Sequence, residues 1–306
     1  MDRREFINLT GAACAATALP SLHSAGLAAP SGLLTRKIPC TGEAIPILGM
    51  GTWITFNVGK NKRLRDKRLD VLRAFFAGGG GMIDSSPMYG SSEEVVGYCL
   101  EKLPPQKKLF TATKVWTVSK WMGERQMETS EKLWKEDKFD LIQIHNLVDW
   151  EVHMDTLNTW KAQGRLNYTG ITTSHGRRHA DFEQIAREHR FDFAQFTYNV
   201  EDREAENRLL PMAADRGMAV IINRPFQRGA LISKLKGKPL PPWASEIGAK
   251  SWPQFLLKFV VSHPAVTCAI PATSNPAHMR ENLEAGRGTL PDAAMRKRMV
   301  SYVETL

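Results

Sequence analysis

Apolar positions along this chain alternate between two rhythms. Short apolar runs of four to six residues occur at 47–51, 82–85, 109–114, 141–145, 169–173, 194–198, 219–223 and 266–270. Their length suits strands rather than helices. Between them, apolar residues recur every three or four positions at 68–77, 93–102, 181–189, 203–216 and 254–262, and again at 291–302, which predicts amphipathic helices. No linker rich in Pro, Gly or Ser divides the series. Strand and helix alternating eight times predict a single (β/α)8 TIM barrel over residues 31–306, an α/β fold whose chemistry gathers at the C-terminal ends of its strands.

The first 28 residues break the rhythm. Arg3 and Arg4 precede Phe6-Ile7 and a weakly apolar stretch at 9–19 made mostly of Ala, Thr and Gly. That stretch is too short and too poor in Leu, Ile and Val to cross a bilayer, which takes about 20 apolar residues. It reads as a targeting peptide over 1–28, with Ala25 or Ala28 as the last residue removed. The adjacent arginines resemble a twin-arginine signal. That resemblance implies the twin-arginine translocation machinery as a partner, a passenger exported already folded, a periplasmic location and no transmembrane domain in the mature protein. A basic tail on a cytoplasmic protein is the competing reading.

Charge and cysteine content narrow the classes. Lys and Arg number 41 against 32 acidic residues, a formal +9, but no aromatic-studded basic stripe accompanies them, so nucleic acid is not an expected partner. The run KNKRLRDKR at 60–68 reads as a solvated helix entrance. Outside the targeting segment, Cys40, Cys99 and Cys268 are too widely spaced for a disulfide framework or a zinc site. His175, His179 and His263 form no ligand set with a carboxylate, and no metal is expected.

Ionisable groups fall where a barrel needs them. Asp84, Lys114 and His145 end the second, third and fourth predicted strands, and Tyr89 follows Asp84 in the stretch GMIDSSPMYG. A carboxylate anchoring an ammonium beside a phenol makes a proton donor. The neighbouring ammonium is expected to lower the tyrosine's pKa from about 10. His145 would orient a substrate oxygen within about 2.6 to 3.2 Å of the acid.

These residues, with GMGTW at 49–53, TATKVW, LIQIHN, Gln195 ahead of Tyr198-Asn199, and the segment from Ile270-Pro271 to Glu281-Asn282, resemble the aldo-keto reductase family in order along nearly the whole chain after residue 30. The resemblance implies hydride transfer from a nicotinamide cofactor to a small aldehyde or ketone, with Tyr89 as general acid and Asp84, Lys114 and His145 completing a tetrad. It implies cofactor contacts at Thr52, Trp53, Thr172, Gln195, Arg224, Arg228, Ser274, His278, Glu281 and Asn282, with NADP(H) expected ahead of NAD(H). Arg224 and Arg228 suit a pyrophosphate by bidentate contacts, or are surface arginines in a loop. GMGTW lacks the third glycine and the helix of a dinucleotide fingerprint, so no Rossmann unit is expected. Gly49 and Gly51 serve either a close approach of the cofactor or the backbone itself.

Five positions depart from the family pattern. Thr172-Thr173 replace a common Ser-Asn, Asn223 stands where an aromatic ring often stacks on nicotinamide, Ala272 replaces a frequent lysine, and His278 an arginine or glutamine. Trp53 and Trp116 suggest flat walls for an apolar or aromatic substrate in an open pocket, while Trp150 is as readily a core filler. The stretch GTWITF resembles a turn of the potassium-channel β subunits. A cofactor-binding redox sensor or partner subunit is therefore an alternative, and a barrel that has lost its cofactor a third. An exported reductase would carry its cofactor across and need a second substrate or redox partner to recharge it.

Overall fold

The computed structural model describes residues 32–106 and 108–306, so the targeting segment at 1–28 lies outside the described residues. A hairpin of β1 (Thr35–Lys37) and β2 (Ala44–Pro46) leads into β3 (Met50–Gly51), α1 (Lys62–Ala77), β4 (Met82–Asp84), α2 (Ser92–Leu100), β5 (Phe110–Val115) and α3 (Lys120–Trp134). β6 (Phe139–Ile144), α4 (Trp150–Ala162), β7 (Leu166–Thr172), α5 (His179–Glu188), β8 (Phe193–Thr197) and α6 (Leu209–Asp215) follow. The chain closes with β9 (Ala219–Asn223), α7 (Ala230–Leu235), α8 (Trp252–Val261), β10 (Cys268–Ala269), α9 (Pro276–Glu284) and α10 (Ala293–Glu304).

β3 to β10 pair in chain order, all parallel. The ring closes where Leu48 bridges Ala269 and where the amides of Gly49 and Gly51 donate to Ala269 O and Pro271 O, at 2.9 and 3.2 Å. Both glycines belong to this closure. A Cβ on Gly49 would lie 2.9 Å from Met82 O, and one on Gly51 2.8 Å from Ile270 O, so backbone packing alone requires them.

Strand alternation sorts the interior into an apolar base and a polar top. Met82, Phe110, Ala112, Leu141, Tyr168, Phe193, Ala219, Ile221, Cys268 and Ile270 form one buried cluster inside the ring, joined by Ile38 and Ile45 of the hairpin. The hairpin is held to that end, with the Tyr168 hydroxyl bonded to Thr41 and Glu43. Two residues further along the same strands come Asp84, Lys114, Gln143, Gln195 and Asn223, and the open end is therefore the C-terminal one. A second buried cluster, rich in Leu, Val, Ile and Phe, fills the layer between barrel and helices.

Two predicted helices shift for identifiable reasons. The expected helix at 203–216 is a 3-10 turn at Glu204–Glu206 followed by α6, because Pro211 cannot sit inside a helix begun at 203 but fits the first turn of one begun at Leu209. α1 begins at Lys62 rather than 68, capped by Asn61 Oδ1 accepting from Leu64 N. The basic run is thus the opening of α1, with Lys62 paired to Asp66 and Arg65 to Glu94.

Candidate active site

Asp84, the last residue of β4, is buried and saturated. Its Oδ2 accepts from Lys114 Nζ at 2.6 Å, and its Oδ1 accepts from Gln143 Nε2 at 3.2 Å and Gln195 Nε2 at 3.1 Å. Lys114, fully buried near the end of β5, also donates to Ser85 O at 2.8 Å. Burial pulls the ammonium below its usual pKa while Asp84 and Glu93 hold it up. Three donors converge on one carboxylate, in a place where an unpaired charge would be very costly.

Ser86 begins the 3-10 turn Pro87–Tyr89, accepting from Met88 N with its Oγ. That turn carries Tyr89 back over the barrel: the Lys114 ammonium lies 5.3 Å from the Tyr89 ring centre, and the His145 ring meets Tyr89 edge-on at 5.6 Å. Tyr89 is half-buried and keeps part of its surface open to the cavity. Burial first, then the carboxylates of Asp84 and Glu93, push its pKa well above 10. The direction is opposite to the lowering expected from Lys114, because burial dominates. The phenol is neutral.

His145 is 6% exposed, and its Nδ1 lies 2.8 Å from Ser86 Oγ. Burial and the Lys114 charge hold its pKa well below 6.5, so the imidazole is neutral. Ser86 Oγ accepts from Met88 N and keeps its own proton, which it can donate to a bare His145 Nδ1. With that bond made, the neutral imidazole carries its proton on Nε2, facing the cavity side of the pair.

Asp84, Tyr89 and His145 share the wall of one cavity of about 900 Å³ with Thr52, Trp53, Thr172, Gln195, Arg224, Arg228, His278, Glu281 and Asn282. Lys114 lies behind that wall. Ser274 is exposed and outside it, and Thr273 faces the cavity instead. Trp116 and Trp150 do not line it; Trp150 packs on the outer core and against His189, as a core filler would. Thr172 Oγ1 accepts from Asn146 N and so retains a proton to donate, and Gln195, with its nitrogen on Asp84, retains its carbonyl end. Asn223 is tied to Thr197 Oγ1 and Thr173 O, which leaves no ring at that position.

The far side of the mouth is cationic. Arg177, Arg224 and Arg228 line the cavity, and none has a carboxylate within ion-pair distance among the described residues. Arg224 Nε is buried without a hydrogen-bond partner, and burial plus the charges of Arg228 and Arg177 lower its pKa. The Arg228 guanidinium lies 4.4 Å from the centre of the Trp53 ring, joining the loops after β9 and β3 across the mouth. Among the described residues, no group of three or more His, Cys, Asp or Glu is placed to hold a metal ion, and no helix is long and apolar enough to cross a membrane.

Residues 47–298 match the model of the aldo/keto reductase family. The chain belongs to that family. It is an oxidoreductase on the (β/α)8 scaffold of the aldo-keto reductases. Aldo-keto reductase YhdN of Bacillus subtilis (strain 168) is 26% identical over 216 residues, 65% of this chain and 64% of its own length. The NADH-specific methylglyoxal reductase of Escherichia coli (strain K12) is 26% identical over 242 residues, 67% of this chain and 72% of its own. A thermostable aldo-keto reductase solved with the inhibitor epalrestat superposes with a TM-score of 0.75 at 28% identity, covering 88% of this chain and 99% of that one. The aldo/keto reductase from Klebsiella pneumoniae, solved with NADP and acetate, superposes at 0.72 with 23% identity over 86% and 93% of the two chains.

Ser86, Gln143, Arg177 and Thr273 are site residues that strand-end reasoning passes over. Gln143 was reachable, since it lies two positions before His145 and must share its inward face. Arg177 carries no such signal. Its place depends on how the loop after β7 folds.

Proposed function

We propose that this protein reduces an aldehyde or ketone to an alcohol with NAD(P)H, Tyr89 acting as the general acid. The observation that carries the reading is the neutral Tyr89 phenol beside a neutral His145 and a saturated Asp84–Lys114 pair, on the wall of a cavity large enough for a dinucleotide's reactive end and a small substrate. The residues suit a nicotinamide dinucleotide. The arginine wall, with its orphaned Arg224 Nε, is a ready partner for a pyrophosphate. Thr172 Oγ–H and the Gln195 carbonyl are complementary to a carboxamide, and His278, Glu281 and Asn282 line the cavity beside α9 for the adenosine end. Bound there, the cofactor supplies the hydride.

The chain's own part is to hold and protonate the substrate oxygen. Nε2–H of His145 donates to the carbonyl oxygen and orients it toward Tyr89. The Tyr89 hydroxyl gives its proton to that oxygen as negative charge develops, and the Lys114 ammonium stabilises the phenolate left behind. NADP(H) is proposed ahead of NAD(H) as the family resemblance implies, the arginine wall facing a pyrophosphate that both cofactors carry. A solved relative is complexed with NADP and another relative is named NADH-specific, so both cofactors occur among similar proteins. The intact tetrad favours an enzyme over a sensor.

The test is Tyr89→Phe. Removing the proton donor should lower kcat for carbonyl reduction by about 10²-fold or more while cofactor binding persists. Wild-type rates in that variant would sink the assignment of Tyr89.

A further inference from the structure

The mouth of the barrel has two unlike sides. The loops after β7 and β9 bring Arg177, Arg178, Arg224 and Arg228 to it, whereas the loops after β3, β4 and β5 together with the first turn of α3 (residues 52–58, 85–91 and 116–122) contain one charged side chain, Lys120. The same three segments contain every exposed large hydrophobic side chain among the described residues: Ile54, Met88, Trp116, Val118, Trp121 and Met122. Val118 and Trp121 are 60% and 65% exposed. Scattered apolar exposure is ordinary, but confinement to one quadrant of one face is the mark of a binding surface.

This rim is held open rather than left loose. Gln126 brackets Trp116, accepting from its N–H at 2.6 Å and donating to its carbonyl at 3.0 Å. His153 Nε2 bonds Thr117 O at 2.8 Å, and Asp149 Oδ2 accepts from Ser119 N at 2.6 Å. Three side chains from α3 and the region around the start of α4 thus fix the loop with its apolar residues outward. Preorganised apolar surface binds without an ordering cost.

The rim is also continuous with the catalytic cavity. Met88 both lines the cavity and is exposed, and it directly precedes Tyr89; Trp53 lines the cavity and Ile54, next in the chain, is exposed. The turn carrying Met88 packs against β5, whose end leads into Trp116.

Resting on the reductase reading above, we infer that the substrate is a carbonyl compound with a long uncharged apolar body, its carbonyl at Tyr89 and His145 and its tail leaving the cavity past Met88 to lie on Ile54, Trp116, Val118 and Trp121. The cationic side of the mouth is left to the cofactor. The rim residues then set specificity by length and hydrophobicity, not by shape at the carbonyl.

Straight-chain alkanals from propanal to decanal, assayed with excess NADPH or NADH, test this. In the wild type, kcat/KM should rise about two- to fourfold for each methylene that reaches the rim. In Val118→Ser and Trp121→Ser, whose exposed positions spare the fold, the decanal-to-propanal ratio should fall at least about tenfold. Binding of 1-hexanol and 1-decanol, followed by tryptophan quenching, gives a second reading that needs no turnover. Turnover independent of chain length, or variants that track the wild type, would overturn the inference and leave the reductase intact. Absence of turnover, with decanol bound more tightly than hexanol and the preference lost in the variants, would overturn the reductase and keep the rim. A dimer that Val118→Ser dissociates without altering the length profile would identify a second copy of the chain as the occupant and overturn the inference, as would the absence of both turnover and chain-length-dependent binding.

Discussion

Ser86 Oγ sits between the Met88 amide and His145 Nδ1, accepting from the amide and free to donate its proton to the ring. Ser86→Ala removes the donor that selects the Nε2–H tautomer, so part of the population should present a bare Nε2 to the substrate oxygen. The expected cost is about two- to tenfold in kcat, the worth of one modest hydrogen bond, with recovery in Ser86→Thr. The pH profile carries a companion test. An acid works only while protonated, and the Tyr89 pKa is held well above 10, so its deprotonation should produce no falling limb in the reductive rate below pH 10. A limb near neutrality that vanishes in Tyr89→Phe would show the phenol to be a stronger acid than its buried, carboxylate-flanked setting allows. Asp84, Tyr89, Lys114 and His145 were legible as strand-end residues; their protonation states were not. Those depend on burial and on Glu93, which α2 brings toward Thr113, Ser130 and Trp134.

At the scale of elements, α2 and α3 touch through their backbones. A Cβ on Gly97 of α2 would stand 1.8 Å from Leu133 O near the end of α3, so the two helices cannot keep their spacing around any other residue. Gly97→Ala should destabilise the fold by about 2 kcal/mol or more in denaturant unfolding, the scale of overpacking where backbone must move. Full stability in that variant would mean that α3 slides at no cost. Periodicity located α1, α2, α5, α8 and α10 to within a few residues because each shows an apolar stripe to the barrel. Its stripe for α1 began only at 68, because the KNKRLRDKR opening, read from its charge as a helix entrance, has Leu64 as its one apolar residue, and it ran one helix through Pro211 where proline allows only a first turn. The β1–β2 hairpin is too short to announce itself, yet it closes the base and leaves the cavity one open end.

For the whole molecule, the open question is how a nicotinamide enzyme would work where Arg3-Arg4 would send it. We propose export of the folded, cofactor-loaded protein to the periplasm by the twin-arginine machinery, followed by recharging through a second substrate or redox partner. Protein purified from the periplasmic fraction and then denatured should release close to one nicotinamide dinucleotide per chain, chiefly NADP(H). Release of none, with no uptake of added cofactor, would remove both the export model and the reductase reading. The Arg228–Trp53 contact across the mouth is a natural place for retention to be decided, because it joins the two loops between which a dinucleotide would leave.

Taken by itself, the sequence determined the barrel, the order of its strands and the placing of Asp84, Tyr89, Lys114 and His145 at its C-terminal end, because short apolar runs alternating with period-three-and-a-half runs admit few topologies and strand ends are countable. Tertiary structure alone decided which loop residues meet. It brought Arg177 of the loop after β7 beside Arg224 of the loop after β9, turned Thr273 rather than Ser274 inward, tied Asn223 to Thr173 and Thr197, and gathered six exposed apolar side chains on one side of the mouth. Loop conformation depends on contacts distant in the chain, and no local pattern of hydrophobic and polar residues records it.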